Sequence, residues 1–510
     1  MSIVDARYER LMPSLDLLAD EAVLAQAWKK SDAYIRRHNW YADILELEQV
    51  SLLLPQTLKD WQRQVSTNDH RAASPLRLVP APKNGKWHFP SKAAGGDWRF
   101  KPIVNNNGDV QQTEPDLRPL AHVSIREQVL ASAVMLCLAD AVETLQGNTN
   151  PASYGSMAQA RQRVCSYGNR LFCDWIEESD GKQHGRFRWG NATTYSQFFV
   201  DYERFLERPA EVCREALPSL HDERLFVVKL DLAKFYDCVK QSAVVSRLRT
   251  LYQRYASEFA IPYSEVEAEP FWQAAEKIIS WHWNPSDSAG RSELKLGLPQ
   301  GLVASGFFAN AYMHDFDLMV VGGLRQGLGI PIQINGVTVY ARLLDYCRYV
   351  DDMRLVVAIP TESAQNLALE TLAGDMSSWA NMLNLSGAVC YDATDLKLGA
   401  DMRDISDGFV IAALNKDIGT FDTMTTALQF HMYQPVMLAN TGQFGGSSAQ
   451  APYKAHHERQ IAHVHGNNQA VISIFEVDLL AFRDTRKIES QKEKKAAPAG
   501  FKGRDLGAAS

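Results

Sequence analysis

Three aspartates stand at positions from which their carboxylates can converge on metal ions. Asp231 follows an apolar run, and Asp351 and Asp352 are adjacent in a segment that is typical of a tight turn. Nucleotidyl transfer by the two-metal route needs carboxylates that hold a pair of divalent ions about 4 Å apart. One ion activates an attacking 3′-hydroxyl, and the other neutralises the triphosphate. The three residues are therefore candidate ligands for two Mg²⁺ ions, with Mn²⁺ as the alternative.

The elements that would position these acids are a strand and a hairpin. Residues 225–231 predict a buried strand that ends in Asp231, and residues 343–357 predict two strands that turn about the Asp351-Asp352 pair. Each part alone is equally typical of an ordinary turn or helix N-cap in a soluble protein. The motifs around the acids favour the metal-binding interpretation.

Three motifs resemble those of reverse transcriptases in order and spacing. They are KLDLAKFYD at 229–237, GLPQG at 297–301 followed by Ser305 and by ANAY at 309–312, and YCRYVDD at 346–352. The resemblance covers residues 95 to 400 and implies an RNA-directed DNA polymerase, a nucleotidyltransferase that makes DNA from dNTPs on an RNA template.

The resemblance also implies roles for individual residues of these motifs. Asp231, Asp351 and Asp352 resemble the metal-binding acids of the family. The backbone carbonyl of Leu232 would complete the shell of one ion. Tyr236 stands where the family places a steric gate under the sugar, which leaves no room for a 2′-hydroxyl; a core aromatic is the alternative interpretation.

Three further residues concern the template, the incoming nucleotide and the leaving group. Gln300 and Gly301 resemble the loop that packs on the template base and the incoming nucleotide, where glycine lets backbone approach the substrate. Lys397 lies near a family lysine that could protonate the departing pyrophosphate. The spacing around Lys397 departs from the family pattern, and a solvated strand lysine fits it slightly better.

Cations for the triphosphate are expected on a hairpin predicted over residues 96–123. Arg118 resembles an arginine of the fingers element in the family, and a guanidinium forks onto phosphate oxygens. Lys101, on the opposite strand of this hairpin, is a second candidate. Both residues also fit the description of ordinary surface charges. The sequence departs from the family pattern at residues 121–124.

The predicted fold class is α+β, a right-hand polymerase with fingers and palm of antiparallel sheet and helices. The predicted divisions are an N-terminal helical extension at 1–95, fingers at 96–225, a palm at 226–400, a helical thumb or C-terminal region at 401–485 and a disordered tail or linker at 486–510. The apolar and amphipathic patterns predict helices at 1–70, 125–147, 195–205, 240–258 and 361–385. Within the first of these, the aromatic and basic segment 27–41 favours a helix packed on a core, with an RNA-contacting face as the alternative.

The composition limits the class of protein. Seven scattered cysteines without a C-x-x-C pair predict reduced thiols in a cytoplasmic protein and argue against a disulfide framework or zinc site. No apolar run approaches the roughly 18 residues that would span a bilayer, and no secretory signal is recognisable. The net charge of −7 lowers the expectation of nucleic-acid binding without excluding it, because phosphate contact needs only a local basic surface.

The resemblance extends to bacterial defence-associated reverse transcriptases of the abortive-infection and unknown groups. It implies a part in anti-phage defence, a dedicated noncoding RNA as a candidate template, and a homo-oligomer as a further expectation. The tail from Lys487 is typical of a linker to a further segment. Two alternatives stay open: an RNA-dependent RNA polymerase, which shares the palm, and a catalytically minor RNA-binding scaffold that senses phage. Tyr236 argues against the first alternative, and the presence of all three acids argues against the second.

Overall fold

The structure is a computed structural model, described over most of the first 364 residues. The described residues are 6–38, 42–67, 74–82, 87–88, 99–104, 108, 110–112, 117–178, 181–216, 219–220, 222–232, 234–288, 295–325, 327, 329–364 and 401–404. The tail predicted at 486–510, the thumb from 405 onwards and the part of the predicted helix after residue 364 lie outside these residues.

Five helices open the chain, as the periodicity of residues 1–70 predicts. They are α1 (Ala6–Glu9), α2 (Leu15–Leu18), α3 (Glu21–His38), α4 (Ile44–Leu52) and α5 (Leu54–Ser66). In α3 the side chains of Val23, Leu24 and Ala27 share one face and are buried. Trp28 and Tyr34 are partly buried against the same core, which favours core packing over an RNA-contacting face for this segment.

The central helix α6 (Ile125–Gln146) was expected at 125–147 and is buried along nearly its whole length. The Ser124 side chain caps it by accepting a hydrogen bond from the Glu127 backbone N–H. By length and composition alone α6 could cross a membrane, but 89% of its most apolar window is buried inside the protein. This burial is what the core helix of a globular protein shows.

The strands before α6 differ from the predicted hairpin. They are β1 (Arg77–Pro82), β2 (Trp87–His88), β3 (Arg99–Phe100), β4 (Ile103–Val104), β5 (Val110–Gln112) and β6 (Leu117–His122). β4 turns back onto β5, but β6 pairs antiparallel with β1. The predicted pairing of 98–104 with 117–123 is therefore wrong. Pro80 and Pro82 make β1 difficult to predict from the sequence, because proline is disfavoured in strand interiors.

The middle of the chain is mainly helical. Its elements are a 3-10 helix (Pro151–Ser153), α7 (Met157–Arg163), β7 (Cys173–Glu177), β8 (Gln183–Phe187), α8 (Phe198–Ala216), α9 (Phe235–Cys238), α10 (Gln241–Glu258), α11 (Glu265–Ile278) and α12 (Pro285–Ser288). β7 and β8 form an antiparallel hairpin. The helix predicted at 240–258 is confirmed as α10, and the one predicted at 195–205 begins at Phe198 and runs further.

One five-stranded antiparallel sheet carries the predicted acids. Its strands, in the spatial order β10-β11-β12-β9-β13, are β9 (Glu223–Asp231), β10 (Gly329–Ile334), β11 (Val337–Tyr349), β12 (Asp352–Pro360) and β13 (Asp401–Asp404). The remaining helices are α13 (Ser305–Arg325) and α14 (Thr361–Ala364). The mixture of helices with antiparallel sheets is compatible with the predicted α+β class. β13 lies just past residue 400, where the predicted palm ends.

Candidate active site

A two-residue turn joins β11 to β12 and presents two of the predicted acids. Tyr349 and Asp352 are register partners, so Val350 and Asp351 form the turn. Val350 has a φ of +59°, in the left-handed region that β-branched residues seldom occupy. Positive φ in a two-residue loop matches the twist of the flanking strands. The turn therefore places Asp351 and Asp352 side by side at one end of the sheet.

The third acid reaches the same end of the sheet from the neighbouring strand. Asp231, the last residue of β9, is the antiparallel register partner of Asp352. The backbone N–H of Leu232 donates to the carbonyl of Asp351 over 3.3 Å. The backbone thus brings Asp231 and Leu232 to the same end of the sheet as Asp351 and Asp352. In the sequence, Asp231 and Asp351 lie 120 positions apart. The side chain of Asp231 lies outside the described part of the structure.

The donor chemistry of this end of the sheet fits a hard divalent cation. Carboxylate and carbonyl oxygens are the ligands that Mg²⁺ and Mn²⁺ prefer. Arg354 on β12 contacts Asp352, with 3.3 Å between a guanidinium nitrogen and a carboxylate oxygen. Among the described side chains, which do not include that of Asp231, no group of three or more His, Cys, Asp or Glu residues forms a metal cluster. The fit therefore rests on the type of ligand and on the backbone register.

Tyr236 lies in α9, five residues after Asp231, and is held from two sides. Its hydroxyl accepts a hydrogen bond from the Asn169 side-chain amide at 2.9 Å. Burial, followed by the negative charge of Asp351, raises the pKa of this hydroxyl. The Tyr236 carbonyl accepts from the Leu298 N–H at 2.7 Å. Gly297 allows this approach, because a Cβ there would lie 2.2 Å from the Tyr236 carbonyl oxygen.

The loop that contains Gln300 and Gly301 connects three parts of the molecule. The Gln300 side chain donates to Asp237 at 3.0 Å, and the Gln300 carbonyl accepts from the Ala121 N–H at 2.8 Å. Gly301 has a φ of +134°, and its carbonyl accepts from Gln128 on α6 at 2.8 Å. The loop therefore ties α9 to β6 and to the central helix.

The predicted cations have different positions. Arg118 is exposed on β6, two residues from Leu120, which forms a β-bridge with Gln300. Residues two apart on a strand face the same side, so the Arg118 and Leu120 side chains share one face of β6. Lys101 is exposed between β3 and β4 and is not on a strand paired with that of Arg118, which corrects the predicted placement. Lys397 lies outside the described residues.

A buried ion pair supports the turn. Arg348 on β11 is wholly buried, and its guanidinium donates to both carboxylate oxygens of Asp317 on α13 at 2.8–3.0 Å. Burial would lower the pKa of Arg348, but the adjacent Asp317 carboxylate outweighs it and raises the pKa. Another guanidinium nitrogen donates to the Val350 carbonyl at 3.2 Å. The Tyr346 hydroxyl also donates to Asp317 at 2.8 Å, so one carboxylate fixes two residues of the hairpin.

The segment 165–170 packs against the other side of the turn. The Tyr167 N–H donates to the Arg348 carbonyl at 2.9 Å. The Asn310 side chain of α13 donates to the Gly168 carbonyl at 2.5 Å. Gly168 has no room for a side chain, since an added Cβ would lie 2.7 Å from the Val350 nitrogen. The turn is therefore enclosed by residues from several distant segments.

Several of these supporting residues have no predicted role. Arg348 and Asn310 lie within the motifs, and a charged residue in an apolar strand is a signal for a buried partner. Gly168 lies outside the motifs. Nothing in the local pattern distinguishes Asp317 from other helix carboxylates, or Asn169 from other loop residues.

Comparison with known proteins gives little similarity. No family model matches the chain, and no curated protein matches it. Among solved structures, the chain is similar to telomerase from Candida tropicalis in complex with the TWJ fragment of telomeric RNA, at 13% identity and a TM-score of 0.24. The similarity covers 85% of this chain and 65% of that chain, so this chain spans less than two thirds of its length. At this TM-score the similarity does not establish a shared fold.

Proposed function

We propose that the chain is an RNA-directed DNA polymerase that joins dNTPs by two-metal nucleotidyl transfer in the cytoplasm. The observation that carries the proposal is the strand register that sets Asp231 opposite Asp352. The Asp351 carbonyl also accepts a hydrogen bond from the N–H of Leu232, the residue after Asp231. Three unrelated turn residues would not be expected to lie together at one end of a sheet. Such proximity is expected of carboxylates that share metal ions.

The chain's own residues would divide the work of binding. Asp231, Asp351 and Asp352 would hold two Mg²⁺ ions, or Mn²⁺, with the Leu232 carbonyl as a further ligand. When bound, such ions lower the pKa of a hydroxyl nucleophile and neutralise phosphate charge. Tyr236, fixed by its hydrogen bond from an amide, would lie under the sugar and exclude a 2′-hydroxyl.

The remaining predicted residues would contact the nucleotide and the template. Gln300 and Gly301 stand in the loop beside α9, and Arg118 stands on the strand bridged to that loop, so all three would act from one side. Arg118 would bind the triphosphate as a bidentate cation. Lys397 stays in the proposal as a secondary cation, on the motif resemblance alone. Lys101 stays as an exposed cation, without the strand pairing that was expected to place it opposite Arg118.

The proposed partners are an RNA template, dNTPs and a DNA product. A role in bacterial anti-phage defence, a dedicated noncoding RNA and a homo-oligomer also belong to the proposal and rest on the motif resemblance. Protection against phage would be measured by plaque counts in cells that express the wild-type chain or a variant lacking the acids.

The decisive experiment is incorporation of labelled dNTPs and, separately, NTPs on a primed RNA template with Mg²⁺. We expect dNTP incorporation by the wild type and a loss of about three orders of magnitude or more in the Asp351→Asn, Asp352→Asn double variant. Glu362→Gln, an exposed acid beyond the far end of β12, is the matched control and should keep full activity.

Two results would contradict the proposal. Preference for NTPs would favour an RNA-dependent RNA polymerase. A double variant that keeps both incorporation and phage protection would favour an RNA-binding scaffold.

A further inference from the structure

A polar cavity of about 360 Å³ opens between the ends of α6, α7, α10 and α13. The residues that matter for its chemistry are Gln146, Arg163, Arg254, Glu258, His314 and Arg325. Its volume lies within the range of roughly 300–1,000 Å³ that small-molecule sites occupy. None of the residues that line it belongs to the predicted metal or dNTP site. We call it the Gln146 pocket.

Among the described residues, four buried polar side chains line the Gln146 pocket. Ser166 and Asp317 are paired with Asn310 and Arg348, and Gln146 and His314 form the floor. Gln146 and His314 are 3% and 5% exposed. Within the described part of the chain, neither polar atom of the Gln146 amide has a hydrogen-bond partner, and neither has His314 Nε2. Leaving a buried donor or acceptor without a hydrogen-bond partner is energetically unfavourable. These groups are therefore arranged for a partner that enters the pocket.

The floor offers both donors and acceptors in a fixed arrangement. The Gln146 amide supplies an acceptor oxygen and two donor hydrogens. Burial, followed by the charges of Arg254 and Arg348, lowers the pKa of His314 to about 3. The imidazole is thus neutral near pH 7, with one ring nitrogen as donor and the other as acceptor. Such a pattern matches the polar edge of a nucleobase better than it matches a simple anion.

The rim of the pocket is basic. Arg163, Arg254 and Arg325 are exposed there, and Glu258 is the single acid among these four, 3.8 Å from Arg163 and 3.7 Å from Arg254. Guanidinium groups fork onto phosphate oxygens. Arg163 and Arg325 end their helices and so also complement the helix dipoles. A dipole role does not explain the unmatched groups of the floor.

The walls give room for the rest of a nucleotide. Leu145, Leu318 and Val321 provide apolar surface between the floor and the rim. A second cavity of about 480 Å³ adjoins the rim and shares Arg163 and Arg325 with the first. A polar floor, an apolar wall and a basic rim occur in the order in which a base, a sugar and a phosphate chain would contact them.

We propose that the Gln146 pocket is a second nucleotide site that takes a nucleoside phosphate, with the base against Gln146 and His314 and the phosphates on the rim arginines. The proposal does not depend on polymerase activity. It requires a preformed site that binds without divalent metal, since the two carboxylates among its lining residues, Glu258 and Asp317, are each paired with arginines.

The test is isothermal titration calorimetry of the full chain in EDTA with ATP, GTP, CTP and UTP, and with inorganic triphosphate as the anion probe. We expect one nucleoside triphosphate to bind with one-to-one stoichiometry and inorganic triphosphate to bind more weakly. The Gln146→Met variant and the Arg163→Ala, Arg325→Ala double variant should each weaken binding about tenfold or more. The Asp351→Asn, Asp352→Asn variant should bind as the wild type does.

The variants are chosen so that misfolding cannot imitate loss of binding. Gln146→Met keeps the volume and removes groups without partners, so its thermal stability should equal or exceed that of the wild type. Gln273→Met, at an exposed position on α11, is the matched control and should leave binding unchanged. Rim arginines are exposed, so their removal should not unfold the chain.

Three results would overturn the proposal. The first is an absence of binding by all four nucleotides. The second is binding that survives both pocket variants. The third is equal binding of inorganic triphosphate that Gln146→Met leaves unchanged, which would make the site a binder of anions only. Because no incorporation is measured, a failed polymerase proposal would leave these outcomes unaffected.

Discussion

Arg348 and Asp317 form a buried ion pair that links the β11–β12 hairpin to α13. Two guanidinium nitrogens meet the carboxylate at 2.8–3.0 Å, and a third donates to the carbonyl of Val350 in the turn. A buried pair adds little net stability, because desolvation offsets the attraction. Removing one partner is costly, since it leaves a buried charge uncompensated.

Loss of the Asp317 carboxylate should therefore destabilise the chain. We expect Asp317→Asn to lower the free energy of unfolding by about 3 kcal/mol or more, measured by chemical denaturation. Asp315→Asn on the same helix is the matched control, because Asp315 pairs with Arg247 near the surface, with about a fifth of each side chain exposed. That change should cost about 1 kcal/mol or less. Equal losses in the free energy of unfolding of the two variants would contradict a supporting role for the Arg348–Asp317 pair.

A methyl group at Gly168 should displace the turn. In Gly168→Ala the new Cβ would meet the Val350 nitrogen at 2.7 Å, so the hairpin must shift. We expect a destabilisation of about 1–3 kcal/mol and a larger proportional loss of dNTP incorporation. Gly322→Ala on α13, where a Cβ has open space, should instead keep or slightly raise stability. Full incorporation by Gly168→Ala would show that the turn tolerates displacement.

Substitutions at Tyr236 distinguish the contribution of the aromatic ring from that of the hydroxyl. Tyr236→Phe loses the hydrogen bond from Asn169 but keeps the ring, so selection against NTPs should persist. Tyr236→Ala removes the ring and should improve NTP use relative to dNTP use by about one to two orders of magnitude. The measurement is the ratio of kcat/KM for matched dNTP and NTP on the same primed template. An unchanged ratio in Tyr236→Ala would assign the residue to the core alone.

The buried imidazole of His314 should make stability depend on pH. Its pKa in the folded chain is about 3, below the ordinary value of 6.5. Between these values the unfolded chain binds a proton that the folded chain does not, so stability falls as pH falls through this window. From about pH 6.5 downwards the contribution is at most about 1.4 kcal/mol per pH unit.

This pH dependence is checked by the free energy of unfolding from about pH 7 to pH 5. We expect His314→Gln to lose stability less steeply than the wild type over this range. His282→Gln, at an exposed histidine, is the matched control. Parallel curves for His314→Gln and the wild type would show that the histidine does not contribute.

Local patterns were sufficient to predict the elements that carry the acids. The apolar run before Asp231 lies within one strand, and residues 343–357 form two strands joined by a two-residue turn, so their signals do not depend on distant residues. The long helix α6 and the amphipathic α10 were predicted for the same reason. The motif spacing then linked elements that local patterns could not connect.

The contacts between distant segments were not predictable in this way. β1 contains two prolines, and its pairing with β6 becomes visible only when the strands are brought together. The bridge between Leu120 and Gln300 joins segments 180 residues apart. The choice of Asp317 as the partner of Arg348 depends on how α13 packs on the sheet, which no spacing rule specifies.

Val350 keeps a left-handed backbone that costs about 1–2 kcal/mol for a residue of its kind. The Val350 carbonyl accepts from Arg348 on β11, which contacts Asp317 and Asn310 on α13, and Gly168 of the segment 165–170 packs against Val350. The native shape of the turn therefore depends on segments that lie far apart along the chain. A nascent or partly folded chain would contain the aspartates without their arrangement. The arrangement of the three aspartates is thus complete only in the fully folded chain.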